Sequence, residues 1–507
     1  MKSVVLTGGP LSIEDLARVA GGVTVAISDK AKAKARASRK ILENLERDGD
    51  PIYGVNTGFG ALKSERIPQE DAIRLQENLI RSHAVGVGDP LAQEETRAAM
   101  LLLAASHLRG ASGVGPETAQ LLCDLLNRNI LPFIPCQGSL GASGDLAPLA
   151  HLGMVLIGDE HPVYTDRDND QVCASLLGAG VEPLKLGSKG GLSIINGTHV
   201  HTAIAALLMA EAKILAKAAD VACSMNLEAM LCSSQPFRAD VHALRPHPHQ
   251  ADSASNITRL IQNSELIASH QACHEVQDAY SIRCAPQVHG ASRQAIAHAR
   301  EVVEIELRSV TDNPLVVGHE VISAGHFHGE PVGLALDYFK IGISELAAIS
   351  ERRTERALNK NYSRGLPAFL TPNPGLNSGL MICQYTAAAL VSENKVLCHP
   401  SCVDSITTGA NQEDHVSMAM NAALHARKVI ENTGNVLAVE LIVGAQALDC
   451  RRAIQKHRPG AGTLAACRAV RKQVPPIHDD RSLSREIQSL DLATIVAEVE
   501  LAVGGLV

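Results

Sequence analysis

The chain of 507 residues has no tryptophan and only six phenylalanines and six tyrosines, so its core must be filled by aliphatic side chains and each aromatic position is informative. No apolar run reaches membrane-spanning length: the best candidate, Ala203 to Met225, is interrupted by Glu211, Lys213, Lys217 and Asp220. The opening segment, Met1 to Pro10, lacks a signal-peptide core. Twelve cysteines are too dilute for a disulfide scaffold, and none are paired as C-x-x-C, which makes a reducing cytoplasm the expected location. Positive charge is not in excess either. A net charge of -8 and a pI near 6.2 give no electrostatic basis for binding nucleic acid or an anionic membrane. With 46% hydrophobic and 20% charged residues, the composition is that of a soluble globular protein with an extensive core, and a small molecule is the expected partner.

What the chain does have is helical periodicity. Leu11 to Ala20 reads as a first helix. Ser28-Asp29 caps a second, with a solvated basic face from Lys30 to Lys40 and with Ile41 and Leu45 turned inward. Helices are expected at Gln69 to Ser82, Ala92 to Leu108 and Glu117 to Asn127, and irregular structure or short strands from Gly158 to Gly191. Long helical stretches follow: His199 to Leu231, Ser253 to His270, Gln287 to Val310, Val332 to Leu358, Gly379 to Leu397, His415 to Val443 and Ala461 to Val474. The pattern predicts a mainly α protein, with a smaller N-terminal domain of helices and loops (1–198) and an elongated helical bundle (199–507).

One stretch stands apart: Gly138-Ser139-Leu140-Gly141-Ala142-Ser143-Gly144-Asp145, running into a helix start at Leu146 with Pro148 in the first turn. Ala142, Ser143 and Gly144 have so little side-chain bulk that the Gly144 nitrogen can approach the Ala142 carbonyl. Attack there, followed by loss of the serine hydroxyl, gives a five-membered ring with an exocyclic alkene, a strong electrophile. Asp145 reads as the N-cap of the following helix, whose dipole would favour negative charge on the ring. The same tetrapeptide occurs as Gly110-Ala111-Ser112-Gly113, but after the apolar run Met100 to Leu108 and before Val114-Gly115-Pro116, which reads as a helix C-terminal turn.

Other clusters read as structural. His242, His247 and His249 lie in a proline-containing loop, Cys398 and Cys402 flank His399 without a second ligand pair, and Gly86-Val87-Gly88 lacks the context of a dinucleotide site; no metal or external cofactor is expected. By contrast, two of the scarce aromatics, Tyr53 and Phe59, sit among three glycines in Tyr53-Gly54-Val55-Asn56-Thr57-Gly58-Phe59-Gly60, a mobile loop composition.

Five motifs, G-V-N-T-G-F-G at Gly54 to Gly60, R-S-H-A at Arg81 to Ala84, G-A-S-G-D-L-A-P-L-A at Gly141 to Ala150, V-Q-D-A-Y-S-I-R-C at Val276 to Cys284 and N-Q-E-D-H-V-S-M at Asn411 to Met418, closely resemble the histidine ammonia-lyase family, in order across nearly the whole chain. The resemblance implies that Ala142-Ser143-Gly144 cyclises to 4-methylidene-imidazole-5-one (MIO) without an external cofactor, and that L-histidine is split non-oxidatively into trans-urocanate and ammonia. It implies a homotetramer of D2 symmetry whose active sites draw on several subunits.

By the same resemblance Tyr53 is the base that removes the β-proton and Tyr280 its essential neighbour. A phenol titrates near ~10, so a phenolate here needs positive charge nearby. Arg283 is placed to hold the substrate carboxylate as a bidentate pair, Asn196 and Gln277 are polar orienters, and Phe327 is a wall of the pocket. His83 and Glu413 would bind the imidazole, since a phenyl ring would leave both groups unpaired. A related MIO enzyme acting on tyrosine or phenylalanine, as lyase or 2,3-aminomutase, is the nearest alternative; a catalytically silent helical scaffold is the alternative of another class. One departure from the family pattern is His326, where Asn usually precedes the phenylalanine.

Overall fold

The computed structural model describes residues 2–47, 51–164, 170–171, 176, 178–270 and 276–507; of the Gly158–Gly191 segment, residues 165–169, 172–175 and 177 lie outside the described residues. The protein is mainly helical. Strands among the described residues are short and form sheets of two or three, such as Val4–Leu6 parallel to Val25–Ile27 and the hairpin Leu315–Val317 with Glu320–Ile322.

The chain divides into two compact units. The first comprises Met1–Ala210, Ala299–Asp337 and Pro400–Leu424; the second comprises Glu211–His298, Tyr338–His399 and His425–Val507. In the first, the helix Gln93–His107 is buried on every side from Glu95 to His107, its apolar run Ala98 to Ala105 flanked by the buried polar residues Glu95, Thr96, Arg97, Ser106 and His107. Ile13–Ala20 and Glu117–Asn127 pack on it. Beside it the helix Leu146–Ile157 packs against Ala72–His83 and Gly190–Ile195. These three helices carry, at their ends, the Ala142-Ser143-Gly144 loop, His83 and Asn196.

The basic helix Asp29–Arg47 buries Ala31, Ala35, Ser38 and Leu42, while Ile41 and Leu45, expected inward, are only half-buried. The cause is the Gly110–Gly113 turn, which lies against this face. A Cβ on Gly110 would stand 2.8 Å from the Lys34 carbonyl oxygen, and the Gly113 N–H donates to Ser38 Oγ at 3.0 Å. Only small residues allow that approach. The rest of the second Gly-Ala-Ser-Gly copy is equally committed: the Ala111 carbonyl accepts from Val316 N–H (2.8 Å), and the Ser112 carbonyl accepts from the buried Lys189 ammonium (2.7 Å).

The second unit is built from long helical segments around an aliphatic core that includes Val221, Leu227, Ile257, Leu358, Val439 and Leu448. Two buried carboxylates inside it are paired with cationic partners. Arg353 makes a two-point pair with Glu440 (2.5 and 2.8 Å), and the Asp220 carboxylate is held by His289, Arg293, Ser253 and Asn256. The stretch expected as one helix, Ser253 to His270, is two, Pro248–Leu260 and Glu265–Ala268. Asn263 turns left-handed (φ 59°), and Ser264 recaps the second piece through the Ile267 N–H. Among the described residues no helix is long and apolar enough to cross a membrane.

Candidate active site

The backbone folds back on itself around Ala142-Ser143. Gly141 (φ 72°) and Gly144 (φ 78°) face each other as an antiparallel bridge, and Gly144 also pairs with Gly197. A Cβ on Gly144 would lie 2.0 Å from the Gly197 oxygen, and one on Gly141 would lie 2.0 Å from Ser417 Oγ, so both positions demand glycine. Gly197 clasps the loop from one side: its N–H donates to the Ser143 carbonyl (3.1 Å) and its carbonyl accepts from Asp145 N–H (2.8 Å). Ser417 and Met418 strap it from the other, through Ser417 Oγ to the Gly141 carbonyl (3.3 Å) and Met418 N–H to the Leu140 carbonyl (2.8 Å).

Asp145 occupies the cap position of Leu146–Ile157, but its carboxylate makes no capping bond to that helix. It reaches instead to the first turn of His199–Ala229, accepting from the N–H groups of Val200 (2.8 Å) and His201 (2.9 Å) and from His201 Nδ1 (2.9 Å). Burial alone would raise this carboxyl; the His201 imidazole and the two amides outweigh it and hold it below the usual carboxylate range. Two helices therefore begin beside the tripeptide, and their N-terminal ends are sources of positive potential there. His199, fully buried at the start of the second, is pushed down to about 3 by its burial and stays neutral.

Ala142 and Ser143 open onto a cavity of about 1050 Å³ whose lining also includes Tyr53, His83, Asn196, Phe327 and Glu413, all from the first unit. Tyr53 is held by its hydroxyl, which accepts from Gly60 N–H at 3.1 Å, and by the edge of Phe59 at 6.4 Å between ring centres. Its phenol is pushed up by burial, against the downward pull of the Gly60 amide and with a lesser push from Glu413. His83 ends the helix Ala72–His83, with Nδ1 2.8 Å from the Leu79 carbonyl. A carbonyl only accepts, so Nδ1 carries the hydrogen and Nε2 is left as an acceptor. Burial lowers the affinity of this imidazole for a proton, which keeps it neutral. Glu413 is braced by the Thr408 hydroxyl (2.7 Å) on a tight turn in which Ala410 and Asn411 have positive φ. Asn196 commits Nδ2 to the Asp312 carboxylate (3.2 Å) and the Asn313 carbonyl (3.0 Å), so its Oδ1 is the group with acceptor capacity to spare.

Gln277, Tyr280 and Arg283 belong to the second unit and form a cluster of their own. The Arg283 guanidinium lies 4.5 Å over the Tyr280 ring, bonds the Gln277 side chain (2.9 Å) and the Asp278 carbonyl (2.9 Å), and leaves Tyr280 72% exposed. None of the three is among the residues lining the cavity. His326 is exposed and outside the lining as well, whereas His328 and His415 line it as a stacked pair, 5.8 Å apart and 3° from parallel. His415 stands in the Asn411 to Met418 motif and His328 directly follows Phe327, which was the available signal for them. Although it stands in the Gly138–Asp145 stretch, Ser139, whose hydroxyl contacts Gly141, Gly144 and Asp145, was given no role by the sequence. The same holds for Lys63, which bonds Gln412 and so ties the Tyr53 loop to the Glu413 turn. Among the described residues no group of three or more His, Cys, Asp and Glu is placed to hold a metal ion.

The sequence profile of the aromatic amino acid lyases matches residues 11–472. The chain is 51% identical over 490 residues to a histidine ammonia-lyase of Gloeobacter violaceus, covering 96% of this chain and 95% of the relative, and 46% identical over 503 residues to one of Myxococcus xanthus, covering 99% and 98%. Among solved structures, the histidine ammonia-lyase of Trypanosoma cruzi superposes with a TM-score of 0.90 at 40% identity, over 99% of this chain and 95% of that one. The tyrosine aminomutase of Streptomyces globisporus gives 0.91 at 36%, over 99% and 98%.

Proposed function

Because the chain belongs to the aromatic amino acid lyase family, we propose that it eliminates ammonia from L-histidine to give trans-urocanate, with an electrophile made from its own Ala142-Ser143-Gly144. The observation that carries the substrate is the joint presence of His83 and Glu413 in the lining of one cavity with Ala142 and Ser143. The Nε2 acceptor of His83 and the Glu413 carboxylate are both satisfied by the two N–H groups of a protonated imidazole; an apolar ring would desolvate both for nothing, at roughly 1–3 kcal/mol each. The tripeptide fits the ring closure, since the Gly144 position has no room for a Cβ and the loop is already folded on itself. Once formed, MIO supplies an electrophilic carbon that activates the substrate for loss of ammonia.

The chain's own groups do the rest. Tyr53 is the β-proton base, Asn196 Oδ1 is suited to the substrate amine, and Phe327 forms a wall. Within the first unit, burial and Glu413 act against a Tyr53 phenolate while the Gly60 amide and the two helix N-termini favour it, so further positive charge beside the ring would complete the base. The Tyr280-Arg283 cluster is suited to supply it, with Gln277 orienting and Arg283 taking the substrate carboxylate. In our reading a second copy of the chain delivers that cluster, within a homotetramer with shared sites that works in the cytoplasm. Support for assembly comes from the helix Met381–Leu397, which buries only Ala387 and Asn394 and leaves Ile382, Tyr385 and Val396 exposed.

An ultraviolet assay with histidine, tyrosine and phenylalanine tests the assignment. Urocanate from histidine is expected; cinnamate, coumarate or a β-amino acid in its place would transfer the chain to the tyrosine or phenylalanine branch. An unmodified intact mass with no turnover of any of the three would leave the silent scaffold.

A further inference from the structure

We propose that Ser139 is the positioning residue that sets Ala142-Ser143-Gly144 for its own cyclisation, an inference that rests on the reading of that tripeptide as the source of the electrophile. Its hydroxyl is buried (5% exposed) and stands at the crossing of three groups. It accepts from the Gly141 N–H (3.2 Å) and lies within donating reach of the Gly144 carbonyl (3.2 Å) and of Asp145 Oδ1 (3.1 Å). Gly141 and Gly144 are the two residues flanking Ala142-Ser143, so one oxygen staples both ends of the loop that must close.

Ring closure joins Gly144 N to the Ala142 carbonyl carbon, with the amide proton passing to the carbonyl oxygen. That oxygen leaves as water with the Ser143 amide proton, giving a C=N bond. Ser143 then loses its Oγ hydroxyl and its Cα hydrogen as a second water, giving the alkene. No oxidant or co-reactant is needed. The first bond forms only if the Gly144 nitrogen stays against Ala142, and glycine has the greatest freedom to rotate away. A tether on the Gly144 carbonyl removes that freedom on one side, and the bond from Gly141 removes it on the other. The single Ser139 proton is shared between the Gly144 carbonyl and Asp145 Oδ1, and Val200 and His201 fix that carboxylate in place. In the Gly110–Gly113 copy the two ends are held by different elements, Val316 for Ala111 and Ser38 for Gly113.

The test is a time course. Wild-type chain, Ser139→Ala and Ser139→Cys are made by cell-free synthesis, and the peptide carrying residues 142–144 is weighed at intervals, with circular dichroism confirming the fold of each. The wild-type peptide should end lighter by two waters. Ser139→Ala, which removes the staple, should lose them about tenfold more slowly or worse, and Ser139→Cys, nearly isosteric but a weak donor, should fall between. A folded Ser139→Ala chain that dehydrates at the wild-type rate overturns the proposal; if that variant does not fold, a wild-type rate in Ser139→Cys overturns it. A wild-type chain that keeps its full mass overturns the cyclisation reading itself, and this inference with it.

Discussion

Ser112 and Ser143 sit in identical Gly-Ala-Ser-Gly strings whose flanking glycines have nearly the same φ, 78° and 70° in one and 72° and 78° in the other. Their neighbours differ: Ser112 is sealed in the core with its carbonyl on Lys189, while Ser143 opens onto the cavity. The expected result is that Ser143→Ala abolishes both activity and the loss of two waters, whereas Ser112→Ala leaves the intact-mass deficit unchanged. Substrate choice is also a matter of single residues. Glu413→Gln and His83→Leu should each lower kcat/KM for histidine by about 10- to 100-fold, measured as urocanate formation. Turnover of histidine at the wild-type rate by both variants would remove them from the imidazole subsite. Seven residues of the cavity lining, Tyr53, His83, Ala142, Ser143, Asn196, Phe327 and Glu413, were legible because matched motifs and a scarce tyrosine marked them. Ser139 was not, because a lone serine in a small-residue loop has no signature until its three partners are placed around it.

At the scale of elements, helix periodicity placed Glu117–Asn127 to the residue and most other helices within a few residues. What it missed is side-chain work that crosses between elements. Asp145 looks like the cap of the helix it precedes and caps another, because its carboxylate points to the start of His199–Ala229. Asp145→Asn should therefore cost about 3 kcal/mol or more in urea unfolding at pH 7, since a buried, hydrogen-bonded charge is lost and one acceptor oxygen, the partner of His201 Nδ1 or of the two amides, is replaced by a donor. Ser28→Ala, which removes the ordinary cap hydrogen bond to Ala31 N–H, should cost about 1 kcal/mol. Equal shifts in the two variants would contradict the crossing role of Asp145.

For the whole molecule, acid is the expected weakness. His199 is pushed down to about 3 in the folded chain but takes a proton near ~6.5 when unfolded. Its contribution to stability is full above that pH and shrinks as pH falls, by roughly 1.4 kcal/mol per unit between about 6.5 and 3. His151, lowered to about 4 by burial, acts in the same direction. Denaturant midpoints between pH 7 and 5 should drop with a slope that His199→Gln flattens by about one proton; an unaltered slope would show that His199 is not the titrating group. Assembly has its own test. Tyr53→Phe and Tyr280→Phe should each be inactive, and the two refolded together should regain activity if a site takes one tyrosine from each of two copies. No regain, with mixed oligomers present, would place both tyrosines in one chain. That Ala299–Asp337 and Pro400–Leu424 return to the first unit was not visible in the linear pattern, which displays helices but not which of them meet. The return also sets a clock. Leu140 and Gly141 are strapped by Met418, itself strained at φ 51°, and by Ser417, which lies 276 residues beyond Gly141. On a ribosome adding about 5 to 20 residues per second, the strap emerges on the order of 15 to 55 s after the loop it holds. If the proposed cyclisation needs that strap, the nascent protein would carry an unreactive serine for that interval, and its electrophile would appear only when the chain around it is nearly complete.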